Sequence, residues 1–315
     1  VSVRLAVALA IDPEALASWR QGAPLVALGG ETMGTSWRVR LAAPPGFVRP
    51  ALEQAIAARL EAILAQMSHW RSDSVLGRFN RAAGGTWIAL PADFARVLEA
   101  GLDVFERSAG AFDPAIGALV DAFGFGPEPP GPAPNAGEVE RLRARSGAAR
   151  LAFDRNPARL RQPGGLRLDL SGIAKGFAVD ALGSVLRAHG CTHALVEIGG
   201  ELLGLGLRPD GDPWWVDLET PIGAVPPLRV ALHQLAVATS GDYVRGRHTI
   251  DPRSGWPVEH AADAWATALG VLPLPEMQVL AQREALAVRA LVRVGDHIRE
   301  WISPALVAMM VAGED

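Results

Sequence analysis

The chain has 315 residues, 49% of them hydrophobic, enough for one large domain or two closely packed ones. Lys and Arg number 30 against 34 Asp and Glu, a formal charge of -4, so no basic excess points to nucleic acid or an anionic membrane surface. The single cysteine, Cys191, excludes an intramolecular disulfide and a cysteine-built zinc site.

Residues 1–10 form a short apolar run, too brief to span a bilayer. The run reads either as the end of a processed export signal or as an ordinary strand. Residues 25–42 alternate apolar and polar as a hairpin, with Glu31-Thr-Met33-Gly34-Thr35 between its strands. Met33 beside Gly34 suits a ligand-facing lip or a strand end. Leu52, Ile56, Leu60, Ile63, Leu64 and Met67 then recur at helical spacing. After them Ser72-Asp-Ser74 resembles a cap for a second short helix, and Trp70 is a stacking surface or core.

A helix over 92–109 carries Phe94, Val97, Leu98, Leu102 and Phe105 on one face and stops at Gly110. Asp113 precedes Pro114, which holds it extended and aims its carboxylate away from a helix. Residues 127–137 are proline-rich and read as an exposed loop, followed by short strands near 151–153 and 167–170. Residues 168–176, Leu-Asp-Leu-Ser-Gly-Ile-Ala-Lys-Gly, lead into a helix with Phe177, Ala181, Leu182, Val185 and Leu186 inward. A strand, a small-residue turn and a helix start make either an anion site, with Lys175 adding charge, or an ordinary tight turn. The glycine spacing matches neither a P-loop nor a dinucleotide fingerprint.

His189 and His193 flank Cys191, and a helix end running into the strand 194–198 accounts for them better than a metal does. Strands near 214–218, 228–232 and 236–239 follow. Residues 239–257 are small, polar and turn-forming, with His248 and Asp251 three apart, a composition that suits a site loop. The next stretch reads as a helix to Leu272. Asp263 and Thr267, four apart, share one face and suit a hard cation such as Mg²⁺; alternatively Asp263 caps the helix and Thr267 packs. Beyond Pro275 come a helix to about 287, a strand 289–294 and an amphipathic tail.

The ordered set of motifs from Met33 to Leu272 resembles the ApbE family, the FAD:protein FMN transferases. The segments that carry the resemblance are Glu31-Thr-Met-Gly-Thr, Trp70-Arg-Ser-Asp-Ser with Arg78-Phe-Asn80, and Gly110-Ala-Phe-Asp113-Pro. Leu168 to Gly176, Ala194 to Glu201, Ala238 to Asp242, His248 to Gly255 and Ala262 to Thr267 complete it. The resemblance implies an α+β fold of two packed α/β subdomains in one compact unit, with FAD between them. Residues 1–24 would be an extension or signal remnant and 25–315 the transferase domain.

The implied reaction moves the FMN half of FAD onto a Thr or Ser hydroxyl of an acceptor protein, using Mg²⁺ and releasing AMP. By the same resemblance Met33, Trp70, Ala111, Phe112, Asp113, Asp169, Lys175 and Ile250 contact FAD. Gly172, through its carbonyl, with Asp263 and Thr267 holds the metal, and His248 is catalytic. His260 stands where some relatives have a further acidic ligand, and the expected metal set omits it. The implied acceptor is a membrane-associated redox subunit at the periplasmic face of a bacterial inner membrane, the cytoplasm being the alternative. An FAD pyrophosphatase and a flavin carrier without turnover are the competing functions.

Overall fold

The hairpin expected at 25–42 forms from Leu25–Thr32 and Thr35–Ala42, in register from Leu25 opposite Ala42 to Thr32 opposite Thr35. Met33 and Gly34 make its turn, with φ of 51° and 70°, the two positive values that a type I′ turn requires. Glycine adopts this conformation freely, whereas Met33 is held there against a steric cost. The structure is a computed structural model and describes residues 3–129, 131–220, 225–239, 249–258, 264–295 and 297–311.

The chain forms two compact units. One comprises Val1–Ile56, Val179–Val237 and Pro273–Asp315, the other Ala57–Ala178 and Ala238–Leu272. In the first, the hairpin belongs to an antiparallel sheet ordered Leu235–Val237, Glu201–Leu205, Ala194–Ile198, Thr35–Ala42 and Leu25–Thr32. A second sheet runs Arg4–Ala6, Leu228–Leu232, Trp214–Leu218, its first strand parallel to the next. The sheets meet closely at Gly204, where an added Cβ would come within 2.4 Å of the Leu232 Cβ. Ala6, Leu202, Trp214, Leu228, Val230, Leu232 and Leu306 fill the core there.

The amphipathic tail proves to be a strand, His297–Ile302, paired with Arg289–Val294, then a short helix, Pro304–Met309. The expected export remnant or strand at the N-terminus contains the strand Arg4–Ala6, with Ala6 fully buried.

The second unit is mainly helical, with Val75–Arg81, Ala92–Arg107, Gly117–Ala122, Ala136–Arg145 and Ala264–Val271 around a small sheet. That sheet runs Trp87–Ala89, Ala158–Arg161, Ala152–Arg155. Caps set the helix starts. Ser74 accepts the Gly77 amide at 2.8 Å, and Asn135 and Glu138 form a reciprocal capping box that ends the proline-rich loop. The helices Arg49–Met67 and Ser171–Ala188 run from one unit into the other.

Two histidines tie the segment before the hairpin into the first unit. His193 accepts the Leu207 amide at Nδ1, 2.9 Å away, and its Nε2 lies 3.1 Å from the Ser18 hydroxyl. His233 accepts the Asp12 amide at Nε2, 2.8 Å away, and donates from Nδ1 to the Gly206 carbonyl at 3.0 Å. A ring nitrogen that accepts an amide cannot also carry a proton, so both rings are neutral.

Burial pushes the His193 pKa below the ordinary histidine range. The unfolded chain therefore takes up a proton that native His193 resists. The stability at stake is fully present above about pH 6.5 and is lost as pH falls toward the folded-state pKa. Urea unfolding midpoints are expected to drop between about pH 7.5 and 5.5. His193→Asn, whose carbonyl can still accept the Leu207 amide, should lessen that drop; equal drops in variant and parent would refute the assignment.

Candidate functional site

The stretch expected to be a strand at 167–170 is extended but joins no sheet. Its hydrogen bonds go to side chains and a neighbouring turn instead. The Asn80 amide donates to the Leu168 carbonyl at 2.9 Å and accepts the Leu168 amide at 2.8 Å, imitating a strand neighbour. The Gly117 amide donates to the Arg167 carbonyl, and the Asp169 amide to the Pro114 carbonyl, at 2.9 and 2.8 Å. Gly117 must be glycine for this approach, since a Cβ would lie 2.9 Å from the Leu168 carbonyl oxygen.

Just upstream, Gln162 is fully buried. Its side chain donates to the carbonyls of Phe79 and Leu166 and accepts the amides of Gly164 and Leu166, all within 3.0 Å. Asn80 and Gln162 thus bind the backbone that would otherwise need a sheet partner.

Asp169 stands at the end of this stretch, two residues before the helix Ser171–Ala188. Its Oδ1 accepts the Ser171 amide at 2.8 Å and lies 3.3 Å from Nδ1 of His69. Both side chains are largely buried, with 14% of His69 and 12% of Asp169 exposed. Burial favours the neutral forms, but at Asp169 the His69 ring together with the Ser171 amide and hydroxyl outweighs it, and the pKa is lowered. Burial likewise opposes charge on His69, yet the carboxylates of Asp169 and Asp121 raise its pKa. Asp121 is paired directly with Arg167, and Glu128 reaches the same guanidinium at 3.3 Å.

His69, Asn80, Asp121, Glu128, Arg167 and Asp169 line a small cleft of about 40 Å³. Within it, Nε2 of His69 is buried with no hydrogen-bond partner.

Two more of the expected site residues, Ala111 and Phe112, belong to a second cluster. Val104, Ala111, Phe112, Ala264, Ala268 and Val271 form a core, and Ile173, from the first turn of Ser171–Ala188, packs against it. Gly172 and Thr267 therefore sit on helices that share one core, Thr267 half-buried. Asp113 is buried, and its carboxylate accepts the amides of Ala115 and Ala148; burial pushes its pKa up. Its oxygens are occupied in closing the turn.

Ile250 is buried with Leu119, Val120 and Val139. Asp251 accepts the Arg253 amide and guanidinium at 3.0 and 3.1 Å, and Arg253 in turn donates to the Val271 carbonyl at 3.4 Å. That last bond ties the 249–258 hairpin to the final turn of the helix Ala264–Val271.

Trp70 is 66% exposed, its ring 5.3 Å from that of His69. Lys175 is half-buried, one turn into Ser171–Ala188. Met33 belongs to the other unit, at the hairpin turn described above. His248, His260 and Asp263 lie outside the described residues.

Among the described residues no three His, Cys, Asp or Glu side chains gather as a metal site. The donors expected here are oxygens throughout, the Gly172 carbonyl, the Thr267 hydroxyl and the Asp263 carboxylate, and a hard cation such as Mg²⁺ fits that set. Sequence reasoning missed His69 and Gln162. A histidine beside Trp70 was a weak signal, and a lone glutamine between Arg161 and Pro163 was none.

A model of the ApbE family matches residues 33–292. The chain is 30% identical to an FAD:protein FMN transferase of Klebsiella pneumoniae over 312 residues, 90% of this chain and 89% of that one. It is 32% identical to a Vibrio cholerae protein of the same description, over 91% and 93% of the two chains. The solved flavin transferase ApbE from Vibrio cholerae superposes with a TM-score of 0.84 at 30% identity, covering 91% of this chain and 99% of the other. The apo flavinyl transferase ApbE of Pseudomonas stutzeri gives the same TM-score at 32% identity, over 92% and 98%.

Replacing Gln162 tests the backbone support. Gln162→Leu keeps the volume but removes four hydrogen bonds to the backbone, including those of the buried Leu166 amide and carbonyl, and it should cost about 3 kcal/mol in urea unfolding. A loss under about 0.5 kcal/mol would show that other groups carry those bonds.

Proposed function

The chain belongs to the ApbE family and is an FAD:protein FMN transferase, and from that premise we propose that it moves FMN onto a Thr or Ser hydroxyl of an acceptor protein with the help of Mg²⁺. The observation that carries this reading is the shared core of the helices bearing Gly172 and Thr267. It supports a metal site built from the Gly172 carbonyl, Thr267 and Asp263. When bound, Mg²⁺ supplies positive charge against the FAD pyrophosphate as AMP leaves.

The chain's own residues divide the remaining work. The positive end of the helix dipole at the start of Ser171–Ala188 and the Lys175 ammonium favour the phosphates. The exposed Trp70 ring offers a face on which a flat ring of FAD can stack. Asp169, held ionised, offers an acceptor to hydroxyl or N–H groups of the ligand. Ala111, Phe112, Asp113 and Ile250 contribute to FAD binding from the second unit, all four buried, and Met33 contributes from the first. His248 takes the proton from the acceptor hydroxyl as that oxygen attacks phosphorus, work to which an imidazole is suited near neutral pH.

Among the described residues no helix is long and apolar enough to cross a membrane. The acceptor we propose is a membrane-associated redox subunit, met at the periplasmic face.

Two outcomes follow. Candidate acceptor domains incubated with FAD and Mg²⁺ should gain the mass of one phosphoester-linked FMN, and the gain should vanish with chelator. Free FMN and AMP beside an unmodified acceptor would make the protein a pyrophosphatase. His248→Ala should bind FAD as the parent does while transferring roughly 100-fold more slowly or worse; transfer at the parent rate would remove His248 from the mechanism.

A further inference from the structure

Asp169, an expected FAD contact, stands against another ionisable side chain, His69. The Ser171 amide and the His69 ring both bear on its Oδ1, which leaves Oδ2 with acceptor capacity of its own. The ring doing this is itself fixed. Its centroid lies 5.3 Å from that of the Trp70 ring, the two planes tilted by 40°, and only 14% of its side chain is exposed.

Stability alone does not account for the arrangement. A histidine buried simply to hold the fold would have both nitrogens satisfied, as His193 and His233 do in the first unit. His69 instead leaves Nε2 buried without a partner. The same cleft gathers Asp121, Glu128 and Arg167, which are already engaged with one another.

We propose that His69 is the positioning residue for Asp169, fixing through its Nδ1–H the carboxylate that receives FAD. The inference rests on the reading that Asp169 contacts FAD. His69 acts through Asp169, and the two form one functional pair whose effects on FAD affinity are not independent. The donor at Nδ1 does the positioning, so any side chain that presents an N–H at that point will substitute.

The test is calorimetric titration of FAD, with Mg²⁺ present, into the full-length parent, His69→Ala, His69→Asn, Asp169→Asn and the His69→Ala/Asp169→Asn double variant. Urea midpoints measured alongside report whether each variant is folded. His69→Ala should bind FAD about tenfold more weakly. His69→Asn, whose amide nitrogen can stand where Nδ1 stands, should recover most of that loss. The double variant should bind no more weakly than Asp169→Asn alone. Weak binding by Asp169→Asn with parent-like binding by His69→Ala would overturn the proposal and leave the Asp169 contact standing. So would multiplied losses in the double variant. Parent-like binding by Asp169→Asn would overturn the contact itself, and the proposal with it.

Discussion

The site depends on a backbone segment that is extended but has no strand beside it. Residues 166–170 carry amide and carbonyl groups that cannot be left buried and unpaired. The Asn80 amide pairs both ways with Leu168, Gln162 holds the amide and carbonyl of Leu166, and the 114–117 turn takes the Arg167 carbonyl and the Asp169 amide. Sheet neighbours would have covered both edges of the segment. Supported by side chains, it leads straight into the helix Ser171–Ala188, with the Asp169 carboxylate on the Ser171 amide and the Leu170 carbonyl taking the Ile173 and Ala174 amides.

Charge in the cleft is organised by burial as much as by pairing. Asp121 is desolvated, and its direct bond to Arg167 does not fully offset that, so its pKa is raised. Asp169 goes the other way, because the Ser171 amide and hydroxyl add to the His69 ring there, whereas Asp121 also feels the carboxylates of Asp169 and Glu128. Two carboxylates in one small cleft therefore differ in how readily they ionise. His69 belongs to Asp169, and Arg167 to Asp121.

Local chemistry was legible in the sequence wherever neighbours in the chain decide it. The Met33-Gly34 hairpin, the Ser74 cap, the helix over Ala92–Arg107 and the helix before Leu272 all follow from alternation, spacing and turn residues. The extended run at 167–170 has the composition of a strand, and what makes it otherwise is Asn80, about ninety residues earlier in the chain. The strand His297–Ile302 was read as an amphipathic tail because its pattern is weak until Arg289–Val294 lies beside it. His69 and Gln162 matter through partners far off in sequence, and nothing in a local window signals them. The order of the motifs carries the family, while His69 meets Asp169 only once the chain is folded, a hundred residues apart in sequence.

Phosphoryl transfer asks little covalent work of a protein and a great deal of positioning. That demand explains why the elements next to the expected reactive residues are so firmly tied. Ile250, two residues after His248, is fully inside the core with Leu119 and Val120. Ala264, the residue after Asp263, is buried against Phe112 and Val104. Arg253 joins the two by reaching from the Asp251 turn to the carbonyl of Val271. A guanidinium at a helix C-terminus meets the negative end of the helix dipole, so this link is favourable in charge as well as geometry. Shifting the 249–258 hairpin would break that link and disturb the end of Ala264–Val271, so the segments that lead to His248 and Asp263 are held as one piece.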